Sequence, residues 1–149
     1  MTSIDFYFNA EDRLKVACRL AAKAAAQKKR LLIYAPEADT ASALDRTLWT
    51  WQALAFVPHC AVHDPLAPET PVLIASSEED GEMRPYGCDI MLNLGSDCPQ
   101  HFERFARLLE VVGSDAAERE AGRGRYRFYQ SRGYKIAGHD LAKTAARDE

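Results

Sequence analysis

Residues 31–36, Leu31-Leu32-Ile33-Tyr34-Ala35-Pro36, decide the fold class. The run is apolar without alternation, the pattern of a strand covered on both faces, and Pro36 ends it by withdrawing a ladder donor. Upstream, Leu14, Ala17, Cys18, Ala21, Ala24 and Ala25 recur at steps of three and four. That spacing makes one narrow apolar helical stripe able to lie close on a sheet, and Lys28, Lys29 and Arg30 suit its negative end. Earlier still, Ser3 to Phe8 alternates, with Ile4, Phe6 and Phe8 on one side and Asp5 and Tyr7 on the other, as a strand with two unlike faces does. Asn9 is placed to cap the helix, with Glu11 and Asp12 at its positive end.

Downstream the alternation continues. Asp39 or Thr40 caps a second helix running through Leu44 and Leu48 to about Trp49, and Phe56-Val57, Pro71 to Ala75 and Cys88 to Leu94 read as strands. Cys98 to Val112 reads as a helix, because Phe102, Phe105, Ala106, Leu109 and Val112 share a face while Glu103, Arg107 and Glu110 take the other. A last helix runs from about Ala116 to Arg132, although Gly122 and Gly124 each cost it about 1 kcal/mol against alanine. Glu78 to Glu82 is polar and holds a glycine, as an exposed loop does. Strand and helix in this order predict one three-layer α/β/α domain with a largely parallel sheet.

The 149 residues suffice for a single domain with its own core, and 47% hydrophobic against 28% charged residues excludes wholesale disorder. No apolar run is long enough to cross a bilayer, and the four cysteines stand singly, so reduced thiols and a cytoplasmic address are expected. The net charge of −3 is unevenly spread. From Asp64 to Asp97 eight acids face one base, Arg84; from Glu118 to Lys135 six bases face two acids. The second stretch is either a site for an anion (phosphate, nucleic acid or an acidic peptide) or a solvated helix face.

Enzyme chemistry is not visible. The first strand-to-helix turn, Asn9-Ala10-Glu11-Asp12, offers carboxylates where a phosphate cradle needs bare backbone amides, and neither glycine-rich phosphate motif occurs. His59 and His63 have zinc-like spacing but lie between Pro58 and Pro65 with no supporting ligand cluster, so they read as surface histidines. Gly95-Ser96-Asp97 is a fragment of a nucleophile turn, and Cys18 and Cys88 fall on apolar positions, as core residues do. No catalytic residue, cofactor or metal is expected.

Two surfaces remain. Leu48-Trp49-Thr50-Trp51 with Phe56-Val57-Pro58-His59 crowds aromatics at an element boundary, as core or as an interface patch. In the basic segment, Arg119 and Arg123 stand four apart on one helical face, with Val112 before them as apolar floor and Tyr126, Phe128, Tyr129 and Tyr134 interleaved. Arginines beside an apolar pocket suit a peptide ending in an acidic, hydrophobic tip. The alternative is direct nucleic-acid binding through phosphate contacts and stacking, against which the net negative charge weighs.

The opening Asp5-Phe6-Tyr7-Phe8, Leu44-Asp45 with Leu48-Trp49, then Phe56-Val57-Pro58-His59, the run Asp89 to Leu94, and an ending of Gly122, Arg125-Tyr126, Tyr129 and Gly133-Tyr134 together resemble the chi subunit family of bacterial DNA polymerase III. The resemblance runs in order from about residue 3 to residue 141, leaving 142–149 as a flexible tail. It implies a Rossmann-like fold without a nucleotide site and a non-catalytic clamp-loader accessory. Such a subunit links the assembly to single-stranded DNA-binding protein and meets nucleic acid mainly through its partners. By position, the resemblance assigns Val112, Arg119 and Arg123 to the groove for that protein's acidic C-terminal tail. Trp49 and Phe56 fall on the surface for the psi subunit of the polymerase or a helicase.

Overall fold

The computed structural model describes residues 2–50, 57–77 and 85–142. In chain order they form β1 (Ser3–Ala10), α1 (Arg13–Ala26), β2 (Leu31–Tyr34), α2 (Ala38–Thr50), β3 (His59–Ala61), β4 (Val72–Ala75), β5 (Ile90–Asn93), β6 (Arg107–Gly113), α3 (Ala116–Ser131) and β7 (Ile136–Asp140). The strands make one seven-stranded sheet in the order β3-β4-β2-β5-β6-β1-β7, with every pairing parallel. No helix among the described residues is long and apolar enough to cross a membrane.

The alternation in β1 sorts the two faces as the pleat requires. Ile4 and Phe6 join Leu32, Leu73, Met91, Leu108, Val112 and Tyr129 on the α3 side. Tyr7 packs on the opposite cluster, where α1 and α2 cover Leu31, Ile33, Val72, Ile74, Ile90, Leu92, Leu109 and Val111. β2 is buried at every position, as its unbroken apolar run predicts. The alanines and Cys18 of α1 are the buried stripe. Burial, with Asp12 adding to it, pushes the Cys18 thiol up to about 12, so this cysteine is an inert core group.

Five sequence readings need correction. α2 starts at Ala38, so Asp39 and Thr40 lie inside it rather than capping it. The cap of α1 is Asp12, whose carboxylate accepts the amides of Leu14 and Lys15. Asn9 instead lies inside β1 at φ 62, where the β1–β6 register shifts between Tyr7 and Ala10. Of the Phe56-Val57 strand reading, Phe56 lies outside the described residues, as do Trp51 and Glu78 to Glu82, while Val57 is in no strand and precedes β3, which starts after Pro58. His59 is no surface histidine but a buried β3 residue, its Nδ1 2.8 Å from the Val57 carbonyl and its Nε2 3.1 Å from Asp45.

The largest difference is Cys98 to Val112, which is not a helix. A single 3-10 turn, Phe102–Arg104, leads into β6, a central strand between β5 and β1. The polar side of the supposed helix depended on Glu110 facing water, whereas Glu110 is fully buried in β6. Two β-branched residues, Val111 and Val112, complete a run that fits a pleated, buried strand.

Candidate peptide-binding groove

β7 and β1 end the sheet on one side, and α3 packs on their neighbour β6. The step between α3 and these two strands leaves a cavity of about 390 Å³. Its sheet side is Phe6, Phe8 and Asn9 of β1, Val112 of β6 and Gly138 of β7; its helix side is Arg119, Gly122, Arg123 and Tyr126. The four helix residues follow one another at steps of three, one and three, which puts them on one helical face. Val112 belongs to a strand rather than to a helix end, and it is still the apolar floor beside both arginines.

Gly122 explains why a residue costly to a helix stands there. A Cβ at this position would lie 2.8 and 2.9 Å from the two Cγ atoms of Val112. Only glycine allows α3 to rest this closely on β6, and that approach sets the floor of the groove.

The roll of α3 is fixed by ionic contacts. Asp115 caps the helix by accepting the Glu118 amide, and the Glu118 carboxylate lies 3.1 Å from Nε of Arg13. Further along, Arg125 turns into the protein and donates from Nε to Glu110 at 3.0 Å and from Nη1 to the Ser96 carbonyl at 2.9 Å. Glu110 also accepts the Tyr129 hydroxyl at 2.6 Å and the Asn93 amide at 3.1 Å to both oxygens. Burial pushes the Glu110 carboxyl above the ordinary carboxylate range, against the pull of Arg125, Tyr129 and Asn93. The three side chains that reach it all donate, which offsets part of the cost of burying its charge.

With Arg125 committed inward, Arg119 and Arg123 remain exposed. Arg123 meets Glu120 only at 3.5 Å, with both side chains more than half exposed, a pair worth little in water. The Arg119 side chain has no acidic partner among the described residues. Two available guanidinium groups thus stand over an apolar floor extended by Phe8, which is 36% exposed. Such an arrangement is chemically suited to carboxylates beside apolar side chains.

Of the second surface, Trp49 sits in the last turn of α2, 55% exposed, with its ring 4.8 Å from that of His59. Phe56 lies outside the described residues. From β3, beside Trp49, to β1 is five inter-strand steps, about 24 Å, so the two surfaces lie toward opposite edges of the sheet. Among the described residues no group of His, Cys, Asp and Glu could hold a metal ion. Sequence reasoning missed Phe6, Phe8, Asn9 and Gly138 as groove residues, because strand neighbours distant in the chain bring them there.

The family model described as "DNA polymerase III chi subunit, HolC" matches residues 1–137. The DNA polymerase III subunit chi of Pseudomonas aeruginosa is 34% identical over 147 residues, covering 96% of this chain and 99% of its own. Those of Haemophilus influenzae and Escherichia coli are each 26% identical, covering 83% and 82% of this chain and 83% and 81% of their own. A solved structure of the C-terminal domain of S. cerevisiae Dbp5, bound to Gle1 and IP6, superposes with a TM-score of 0.57 over 94% of this chain and 90% of that one. At 9% identity it shows a shared fold alone. The chain belongs to the DNA polymerase III chi subunit family.

Proposed function

We propose that this chi-family chain is a non-catalytic adaptor working in the cytoplasm. Its groove of Val112, Arg119 and Arg123 holds the acidic C-terminal tail of single-stranded DNA-binding protein, and the surface around Trp49 and Phe56 binds the psi subunit or a helicase. The observation that carries the reading is the pair of exposed arginines on one face of α3 above the Val112 and Phe8 floor. A guanidinium reads a carboxylate in fork geometry, and the floor receives the apolar residues next to it. The inward commitment of Arg125 supports the same reading, since it leaves the other two arginines as the groove's anion receptors.

The test is calorimetry and pull-down with full-length and tail-truncated single-stranded DNA-binding protein. Binding requires the tail, weakens as salt rises, and falls by more than about 1 kcal/mol in Arg123→Ala. Identical affinity for Arg119→Ala, Arg123→Ala and the unaltered protein rules the site out. Trp49→Ala abolishes binding to psi or the helicase while tail affinity stays within about threefold, because effects at well-separated sites are independent. Loss of both activities together, with a lowered melting temperature, means that Trp49 acts as a stability residue instead.

A further inference from the structure

The groove opens sideways onto the β7 edge of the sheet. Among the described residues β7 has a neighbour on one side only, β1. The phase of that pairing is fixed by two backbone bonds: the Ile4 amide donates to the Lys135 carbonyl, and the Ser3 amide donates to the Ala106 carbonyl. With Ile4 opposite Ile136 and Phe6 opposite Gly138, the even-numbered residues of β1 direct their backbone toward β7 and the odd-numbered ones toward β6. In β7, therefore, Ala137 and His139 bond inward to β1, while Ile136 and Gly138 direct their N–H and C=O groups away from the sheet.

Edges of this kind are ordinarily blunted by lysine, proline or a bulge. β7, Ile136-Ala137-Gly138-His139-Asp140, contains no lysine or proline and pairs with β1 in unbroken register. Gly138 is also part of the groove lining, and a Cβ there would meet only the Phe8 ring, at 3.4 Å. Because Gly138 has no side chain, the open edge and the groove above Phe8 are continuous at this residue. An added strand beside β7 can pass side chains over Gly138 onto Phe8 and Val112, with Arg119 and Arg123 on the far side of the groove.

Resting on the reading of the groove as an acidic-tail site, we infer that the tail binds as an eighth strand on the β7 edge. It pairs with the outward N–H and C=O groups of Ile136 and Gly138 and places its apolar residues over Gly138. Strand addition of this type draws affinity from main-chain hydrogen bonds and specificity from pockets for alternate side chains. The occupant is an acidic peptide rather than a second copy of this chain, because the arginine-lined wall beside the edge complements carboxylates.

The experiment is amide hydrogen exchange on the full chain, with and without a synthetic peptide of the single-stranded DNA-binding protein tail. It is paired with affinities of peptides N-methylated at one position at a time. In the free protein Ala137 and His139 are protected and Ile136 and Gly138 are not; saturating peptide protects both of the latter. Affinity falls by about two- to tenfold for N-methylation at alternate peptide positions and is unchanged for those between, the loss expected for one hydrogen bond. Peptide that binds and is weakened by Arg123→Ala, yet leaves the Ile136 and Gly138 amides unprotected, overturns strand addition and leaves the groove standing. A peptide that fails to bind overturns the groove reading itself. Protection of Ile136 and Gly138 that grows with protein concentration and without peptide assigns the edge to a second copy and overturns the inference.

Discussion

Replacing Arg125 by methionine tests whether α3 is held by the buried ion pair. The guanidinium is 4% exposed and its partner carboxylate 0%. Loss of the Arg125–Glu110 contact removes a charge-assisted hydrogen bond worth about 1.5–3 kcal/mol, and the Ser96 carbonyl loses a neutral-acceptor bond worth about 1 kcal/mol. The sum, about 2.5–4 kcal/mol, overlaps the ~3–5 kcal/mol for stripping one partner from a buried pair. For a chain of this length that is a melting temperature lower by about 5–16 °C in calorimetry. The deficit has a pH signature. Burial already raises the Glu110 carboxyl and Arg125 pulls it back, so without Arg125 the folded-state pKa rises further. A carboxyl raised in the folded state holds its stability at low pH and loses it as pH rises through the folded value. The gap between variant and parent is therefore smaller at pH 5 than at pH 8, widening by about 1.4 kcal/mol per unit of added shift. Pairing Arg125→Met with Glu110→Gln recovers part of the loss, since it removes the unpaired buried charge while the amide oxygen still accepts from Tyr129 or Asn93. A deficit below about 1 kcal/mol, or one that grows toward acid, refutes the account of α3 as anchored by this pair.

Gly122→Ala forces its methyl against Val112 and destabilises by about 1–3 kcal/mol with weakened tail binding, whereas Gly124→Ala, whose Cβ meets nothing, stabilises by up to about 1 kcal/mol; paired thermal melts read both. At Asp5, burial pushes the carboxyl up but hydrogen bonds from His139 and Arg107 outweigh it and hold the pKa below the ordinary value. The stability this contributes is present above about pH 4 and lost as pH falls through the folded value, so urea midpoints of Asp5→Asn and the parent differ at pH 7 and converge in acid.

What the sequence disclosed and what it hid differ by a single kind of information. Leu31 to Tyr34 and the stripe of α1 announced the layered fold, because a strand covered on both faces and a helix with one narrow apolar side each need a complementary surface. Arg119 and Arg123 were legible as a pair because four residues of helix put them on one face without help from any other element. Glu110 was read wrongly for the complementary reason. A carboxylate in an apolar run looks solvent-facing until its countercharge is found, and Arg125 lies 15 residues on, on another element. With that pair recognised, residues 107–113 lose their polar helical face and become a buried strand, leaving no helix in that stretch. β7 escaped notice because an edge strand bearing Gly138, His139 and Asp140 has neither the apolar run of a central strand nor full alternation. The residues missing from the sequence reading of the groove were consequently those that β1 and β7 bring to it across the sheet. The same pairing that concealed them directs the backbone of Ile136 and Gly138 outward beside Arg119 and Arg123. A site of side-chain charges, visible in the sequence, thereby meets an edge of main-chain donors and acceptors that only the topology creates.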